Sequence, residues 1–413
     1  MRNVTRGAWP LFVALSLLMV GNGLQSSLVG LRADLEGFST AVTGVVMTGY
    51  YVGFLGGAAV VPRIVGAVGH VRVYAGLASL GSIALLAYTL VVDPTTWFGM
   101  RAVTGFCLAG LYIVAESWLN SVVSNENRGR VLSIYMVVVS GGLAAGQLLL
   151  NVADPAGYEL FVISSVLVSL AVVPIALAPS KAPAVEPPER SLPFKEVFRT
   201  VPLGMSGVAI SGVSGGALFG MGAVWAANSG LAVGRISVFI GLALMGGVAF
   251  QWPVGALSDR ISRRKVLLIA TLGAAMAAGL LWMLDPHSPV LLIAAFLFGG
   301  FSFPMYSLGV SHAADALPPE RLVAASAVLM FSNGVGAILG PASASFTMSA
   351  FGVGGFWLFL FSLHSAFGVF IAYRLLVRRT MDVDKGPFLY VPTRSTYLAI
   401  DLGLEHEEED TTV

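Results

Sequence analysis

Charged side chains in this chain are spaced as though long stretches forbid them. No Asp, Glu, Lys or Arg falls within residues 7–31, 37–62, 73–92, 131–153, 160–180, 200–234, 236–258, 266–284 or 286–314. A final gap, 322–373, has room for two segments and is divided by the glycine-rich turn at Gly352, Gly354 and Gly355. A helix crosses a bilayer with about 20 predominantly apolar residues, and each gap meets or nearly meets that length. Residues 97–119, which tolerate Arg101 and Glu116, complete a set of twelve. The apolar runs are continuous rather than alternating, so helices are expected and a transmembrane β-barrel is not.

Composition supports lipid as the second solvent. The chain is 56% hydrophobic and 11% charged, where a soluble domain carries roughly 25% charged residues. A net charge of +1 provides no basic face to neutralise phosphates, so nucleic acid is not an expected partner. The one cysteine, Cys107, excludes an internal disulfide. No metal-ligand cluster, nucleotide-binding glycine loop with lysine, or nucleophile elbow is legible, so neither cofactor, metal nor catalytic residue is expected. Arg2 and Arg6 ahead of residues 11–20 mimic a secretory signal, but no convincing cleavage site follows. The segment reads as a retained first span.

With twelve spans both termini share a side. Placing them in the cytoplasm leaves, of 23 basic residues, Arg32 and Arg235 outside and Arg101 within a span. That asymmetry fits the positive-inside rule. The expected organisation is a six-helix bundle over 1–178, a proline-rich cytoplasmic linker over 179–202, a second bundle over 203–376, and a disordered cytoplasmic tail over 377–413. The two bundles echo each other. An offset of 194 carries Gly105 onto Gly299, Tyr112 onto Tyr306, Ser117 onto Ser311, Gly142 onto Gly336 and Gly146 onto Gly340. Parallel six-span repeats are one architecture of secondary transporters, with the substrate site at the midplane between them.

The loop Gly255-Ala-Leu-Ser-Asp259-Arg260-Ile-Ser-Arg263-Arg264-Lys265 concentrates chemistry. Gly255 permits close helix approach, Asp259 can pair with a neighbouring arginine, and the basic cluster suits the membrane surface. This loop resembles the signature loop of the major facilitator superfamily, with Ser262 in place of its second glycine. The equivalent in the first half, residues 62–72, has Gly66 where the aspartate would stand. Arg101-Ala-Val-Thr-Gly105 resembles the superfamily's Arg-x-x-x-Gly motif, where the arginine is often tied to proton coupling. Glu116-Ser-Trp-Leu-Asn120, Asn125 to Arg130, Gly146-Gln147-Leu148 and Gly21-Asn22-Gly23-Leu24 narrow the resemblance to the YcaD-like branch. The resemblance implies a monomeric, multi-pass transporter of the bacterial inner membrane with the twelve-helix major facilitator fold, and implies that the first, fourth, seventh and tenth spans line a cavity.

A charge inside a span costs several kcal/mol unless partnered, which makes Arg101 a functional candidate. At about 100° per residue, positions 101, 105, 112 and 116 fall within roughly 60° of one another, so Arg101, Tyr112 and Glu116 form one stripe. Arg101 and Glu116 lie about 22 Å apart along that helix and cannot pair directly. Glu116 reads equally as a proton carrier or as an interhelical bond. Asn22, Gln25 and Tyr306 complete the substrate or coupling candidates. The expected function is secondary transport of a small solute by alternating access, driven by protons or by the solute's own gradient. Multidrug-type efflux is the alternative within that class, and a non-transporting receptor or scaffold the alternative outside it.

Overall fold

The computed structural model describes residues 2–122, 128–178, 192–377, 386 and 388–391, excepting the side chains of 2–8, 122, 128–130, 319, 320 and 323. Among them are 12 helices long and apolar enough to cross a membrane. Spans one to six are Trp9–Leu35, Thr40–Val68, His70–Ala87, Pro94–Ser121, Val131–Asn151 and Glu159–Ala176. Spans seven to twelve are Pro202–Asn228, Val233–Arg260, Arg263–Met283, Val290–Ala314, Ala324–Phe351 and Gly355–Val377. The described residues contain no strand. The charge-free gaps therefore mark the membrane helices of the expected all-α fold.

Local chemistry sets where these helices stop and bend. Span two passes into span three through Gly69 alone, whose φ of 93° few residues with a Cβ could adopt. Gly352, at φ 75°, makes the break between spans eleven and twelve that the glycine-rich turn predicts. Span ten is interrupted at Phe303, ahead of Pro304, which has no N–H to give the preceding turn. At the start of span four, Asp93 accepts the Thr96 N–H at 2.8 Å and satisfies a helix donor that would otherwise be unmet. The two arginines expected outside share a task. Arg32 donates to the carbonyls of Pro155, Ala156 and Gly157, in the turn between spans five and six. Arg235 donates to those of His287 and Ser288, between spans nine and ten.

The described residues form two compact units, one within Met1–Pro188 and one within Glu189–Thr393. Inside each, glycines bring helix backbones into contact, as lipid gives no hydrophobic drive for helices to associate. In the first unit, Gly49, Gly53 and Gly57 of span two face the carbonyls of Phe98, Ala102 and Phe106 on span four, and Gly105 returns the contact at Tyr50. The second unit repeats this, with Gly246 of span eight against Phe296 and Gly299 of span ten against Ala243. Spans one and five meet through Gly23 at Leu143 and Gly146 at Val20. Spans seven and eleven meet likewise through Gly216 at Ala337 and Gly340 at Val213. The repeat legible as matched glycines is thus a repeat of helix contacts.

Candidate functional site

Arg101 enters span four two turns from its start and is 2% exposed. Its guanidinium carbon lies 4.9 Å from the centroid of the Tyr50 ring on span two. The glycine contacts between these spans account for that approach: an added Cβ on Gly49 would sit 3.2 Å from the Arg101 Cβ. Nε and Nη1 of Arg101 are buried and find no hydrogen-bond partner among the described residues. A desolvated cation–π contact supplies about 2 kcal/mol, while a charge within a span costs several. The ring alone does not balance the charge.

Further along the stripe, Tyr112 is fully buried, donates its hydroxyl to Met19 Sδ on span one at 2.7 Å, and packs edge-on to Phe54. Met19 lies one helical turn from Asn22, so span four's stripe adjoins an amide pair on span one. There Gln25 Nε2 donates to Asn22 Oδ1 at 3.3 Å. Asn22 Nδ2 and Gln25 Oε1 are left without partners among the described residues. Gln147 does a different job from these amides. It accepts from Ser27 at 2.6 Å and donates to the Gly23 carbonyl at 2.6 Å and to Ser26 at 3.1 Å, clamping span five to span one.

Glu116 is fully buried and accepts a hydrogen bond from the Tyr135 hydroxyl of span five. At the next residue along span four, Ser117 is joined to His70 of span three at 3.1 Å. Tyr306, the repeat partner of Tyr112, is 1% exposed at the start of the second segment of span ten, in the other unit. Tyr112 thus reaches spans one and two, Glu116 reaches span five, Asn22 and Gln25 meet each other along span one, and Arg101 turns to span two.

In the signature loop, Arg263 is the buried member. It holds Asp315 at the end of span ten through Nε and Nη2, the latter at 3.0 Å, and donates to Ser258 at 3.1 Å. Asp259 lies farther off, 3.8 Å from Arg263, and its side chain is 44% exposed. Arg260 is exposed and Arg264 partly so. A helix is expected against Gly255; the atoms nearest an added Cβ there instead belong to Phe388 and Tyr390 of the tail. Of the expected disordered tail, most lies outside the described residues, but Phe388, Leu389 and Val391 are buried against the second unit. Burial, and then the charge of Asp259, raise the Tyr390 phenol above its ordinary pKa.

The roles of Tyr50, Met19, Asp315 and the tail contacts are not legible in the sequence. Only Asp315 carried a signal, as an acid closing an otherwise uncharged stretch. Among the described residues no group of His, Cys, Asp and Glu could hold a metal ion.

Comparison with known proteins agrees with this fold. The family model of the Major Facilitator Superfamily matches residues 11–245 and 204–389. An uncharacterized MFS-type transporter of Yersinia enterocolitica is 28% identical over 382 residues, 92% of this chain and 97% of that one. The MFS-type transporter YcaD of Escherichia coli is 27% identical over 360 residues, 85% of this chain and 91% of the relative. Among solved structures, a mutant form of the nucleoside transporter NupG superposes with a TM-score of 0.79 at 14% identity, covering 89% of this chain and 99% of that one. A bacterial homolog of the human lysosomal transporter Spinster, inward-facing and occupied, gives 0.72 at 15% identity, covering 93% and 100%. At such identities the structures share the fold alone. With the family match spanning nearly its whole length and these relatives matched over more than nine-tenths of theirs, the chain belongs to the major facilitator superfamily, a family of multi-pass membrane transporters.

Proposed function

We propose that the chain is a secondary transporter working by alternating access in the bacterial inner membrane, with both termini in the cytoplasm, and that its solute presents an anionic or strong acceptor group to Arg101. The observation that carries the reading is the Arg101 guanidinium, buried in an apolar unit over Tyr50 with Nε and Nη1 unmet among the described residues. A carboxylate or phosphate offers the charged oxygen acceptors that guanidinium donors bind most strongly, which no hydrophobic ligand reproduces. Asn22 and Gln25, with one donor and one acceptor unmet, suit the polar remainder of such a solute. Glu116 is the proton carrier in this reading: a carboxyl fully buried beside Tyr135 exchanges one hydrogen-bonding pattern for another when it gains or loses a proton.

Ligand-induced stabilisation tests the binding part. The purified chain in detergent is melted against a panel of small carboxylates, phosphorylated solutes and neutral or cationic amphipaths, beside Arg101→Ala. The reading expects acidic solutes to raise the melting temperature of the wild type and not of the variant. Equal stabilisation of both proteins removes Arg101 from the site. Stabilisation by cationic amphipaths alone favours multidrug-type efflux.

A further inference from the structure

The tail segment Phe388 to Val391 is buried outside the twelve spans, with Phe388, Leu389 and Val391 only 4%, 4% and 2% exposed. Its backbone is hydrogen-bonded to side chains of the second unit. The Leu389 N–H donates to Ser311 Oγ at 2.9 Å and the Val391 N–H to Ser307 Oγ at 3.2 Å. Ser307 in turn donates to the Val391 carbonyl at 2.9 Å and accepts from Gln251 Nε2 at 2.6 Å. That uses the one donor and both acceptor positions of a hydroxyl.

The spacings match. Ser307 and Ser311 are four apart, so they stack about 6 Å along one face of span ten. Two residues of extended chain advance about 6.6 Å, which aligns residues 389 and 391 with the two serines in opposite chain directions. Alternate side chains of an extended segment point the other way, and Phe388 and Tyr390 both reach span eight. There an added Cβ on Gly255 would sit 2.7 Å from Phe388 Cδ1 and 2.9 Å from Tyr390 Oη. The two rings pack edge to face at 4.9 Å. Phe388 joins the buried cluster of Val254, Leu267, Leu308 and Phe367. Arg263, which already binds Asp315 of span ten, also donates to the Gly386 carbonyl. Gly255, Gln251, Ser307, Ser311 and Arg263 together make a socket for this stretch of the chain.

We propose that Gly386 and Phe388 to Val391 are a strap, seated in a socket between spans eight and ten, that holds the loop end of the second unit closed and must leave before that end can open. Any motion that parts span eight from span ten, or shifts the loop carrying Arg263, breaks the serine bonds and uncovers Phe388. For a transporter this makes the tail a brake on the half-cycle that opens the loop side. That consequence rests on the transport reading above; the seating and release of the strap do not.

Hydrogen–deuterium exchange on the reconstituted full chain tests it without a solute. In the wild type, the amides of Leu389 and Val391 should exchange at least tenfold more slowly than in the free hexapeptide Gly-Pro-Phe-Leu-Tyr-Val. Phe388→Ala/Tyr390→Ala should release both amides and speed exchange across residues 255–264 and 305–315 about tenfold, with spans one and five unchanged. Gly255→Leu, which fills the socket without altering the tail, should do the same. The hexapeptide added in trans to the double variant should restore protection, and a scrambled one should not. Tail amides exchanging at the free-peptide rate in the wild type overturn the seating. A released tail that leaves 255–264 and 305–315 unchanged overturns its holding role. Neither result bears on whether the protein transports.

Discussion

Replacing Gly53 by alanine tests the close approach that sets Arg101 over Tyr50. A Cβ added at Gly53 would fall 1.8 Å from the Ala102 carbonyl oxygen, where a C–H···O contact needs about 3.3 Å or more. Spans two and four would have to part by about 1.5 Å locally. Overpacking of this kind costs about 1–3 kcal/mol. The upper part of that range applies because the neighbouring contacts of Gly49, Gly57 and Gly105 open with it. Alanine's better helix propensity offsets up to about 1 kcal/mol, leaving a net loss of about 2 kcal/mol. Gly56, on the same helix, has nothing within 4 Å of an added Cβ, so Gly56→Ala should gain about 0.5–1 kcal/mol from propensity alone. Reversible unfolding in mixed micelles, titrated with denaturing detergent, measures both. The two variants should differ by about 3 kcal/mol and lie on opposite sides of the wild type. If they coincide, the glycine ladder is not what seats these helices, and the argument for Arg101's surroundings goes with it.

Two further predictions concern charges. The Arg263 and Asp315 side chains are 2% and 10% exposed, so Asp315→Ala should strand a buried cation and cost about 3–5 kcal/mol, read in the same unfolding assay, whereas Asp259→Ala should cost under about 1 kcal/mol. The backbone N–H of Thr96 holds the Asp93 carboxyl below its usual pKa. Its contribution is therefore present above the ordinary carboxylate pKa and fades as pH falls through the lowered one. Asp93→Asn should flatten the acid limb of a melting-temperature–pH profile, and an unaltered limb would count against the cap.

The twelve spans were legible because lipid penalises charge so heavily that their boundaries appear as gaps between Asp, Glu, Lys and Arg. Arg101 stood out by the same rule, as a charge where none should be. Its partner did not. Which face of span two meets span four is decided by Gly49, Gly53 and Gly57, and in a chain with 49 glycines a sequence does not say which ones touch a backbone. Glu116 offered two readings, and the Tyr135 bond supplies the interhelical one without removing the titratable carboxyl. Gly255 reads in sequence as a site of close helix approach because a glycine permits one, and nothing in the sequence brings Phe388 and Tyr390 to it. The tail carries no periodicity, and its seating depends on two serines four residues apart on span ten and an empty place on span eight. Those are tertiary coincidences that appear only when the helices are assembled.

Solute flux into proteoliposomes tests the central claim most directly. Vesicles holding the wild type, Arg101→Ala or Glu116→Gln are given radiolabelled acidic solutes chosen by the stabilisation panel, with and without an imposed pH gradient. The account predicts gradient-dependent flux in the wild type, at least a tenfold loss in Arg101→Ala, and flux in Glu116→Gln that no longer responds to the pH gradient. Undiminished flux in Arg101→Ala, or pH coupling that persists in Glu116→Gln, would contradict the role given to that residue. No flux of any solute under any gradient would contradict transport itself.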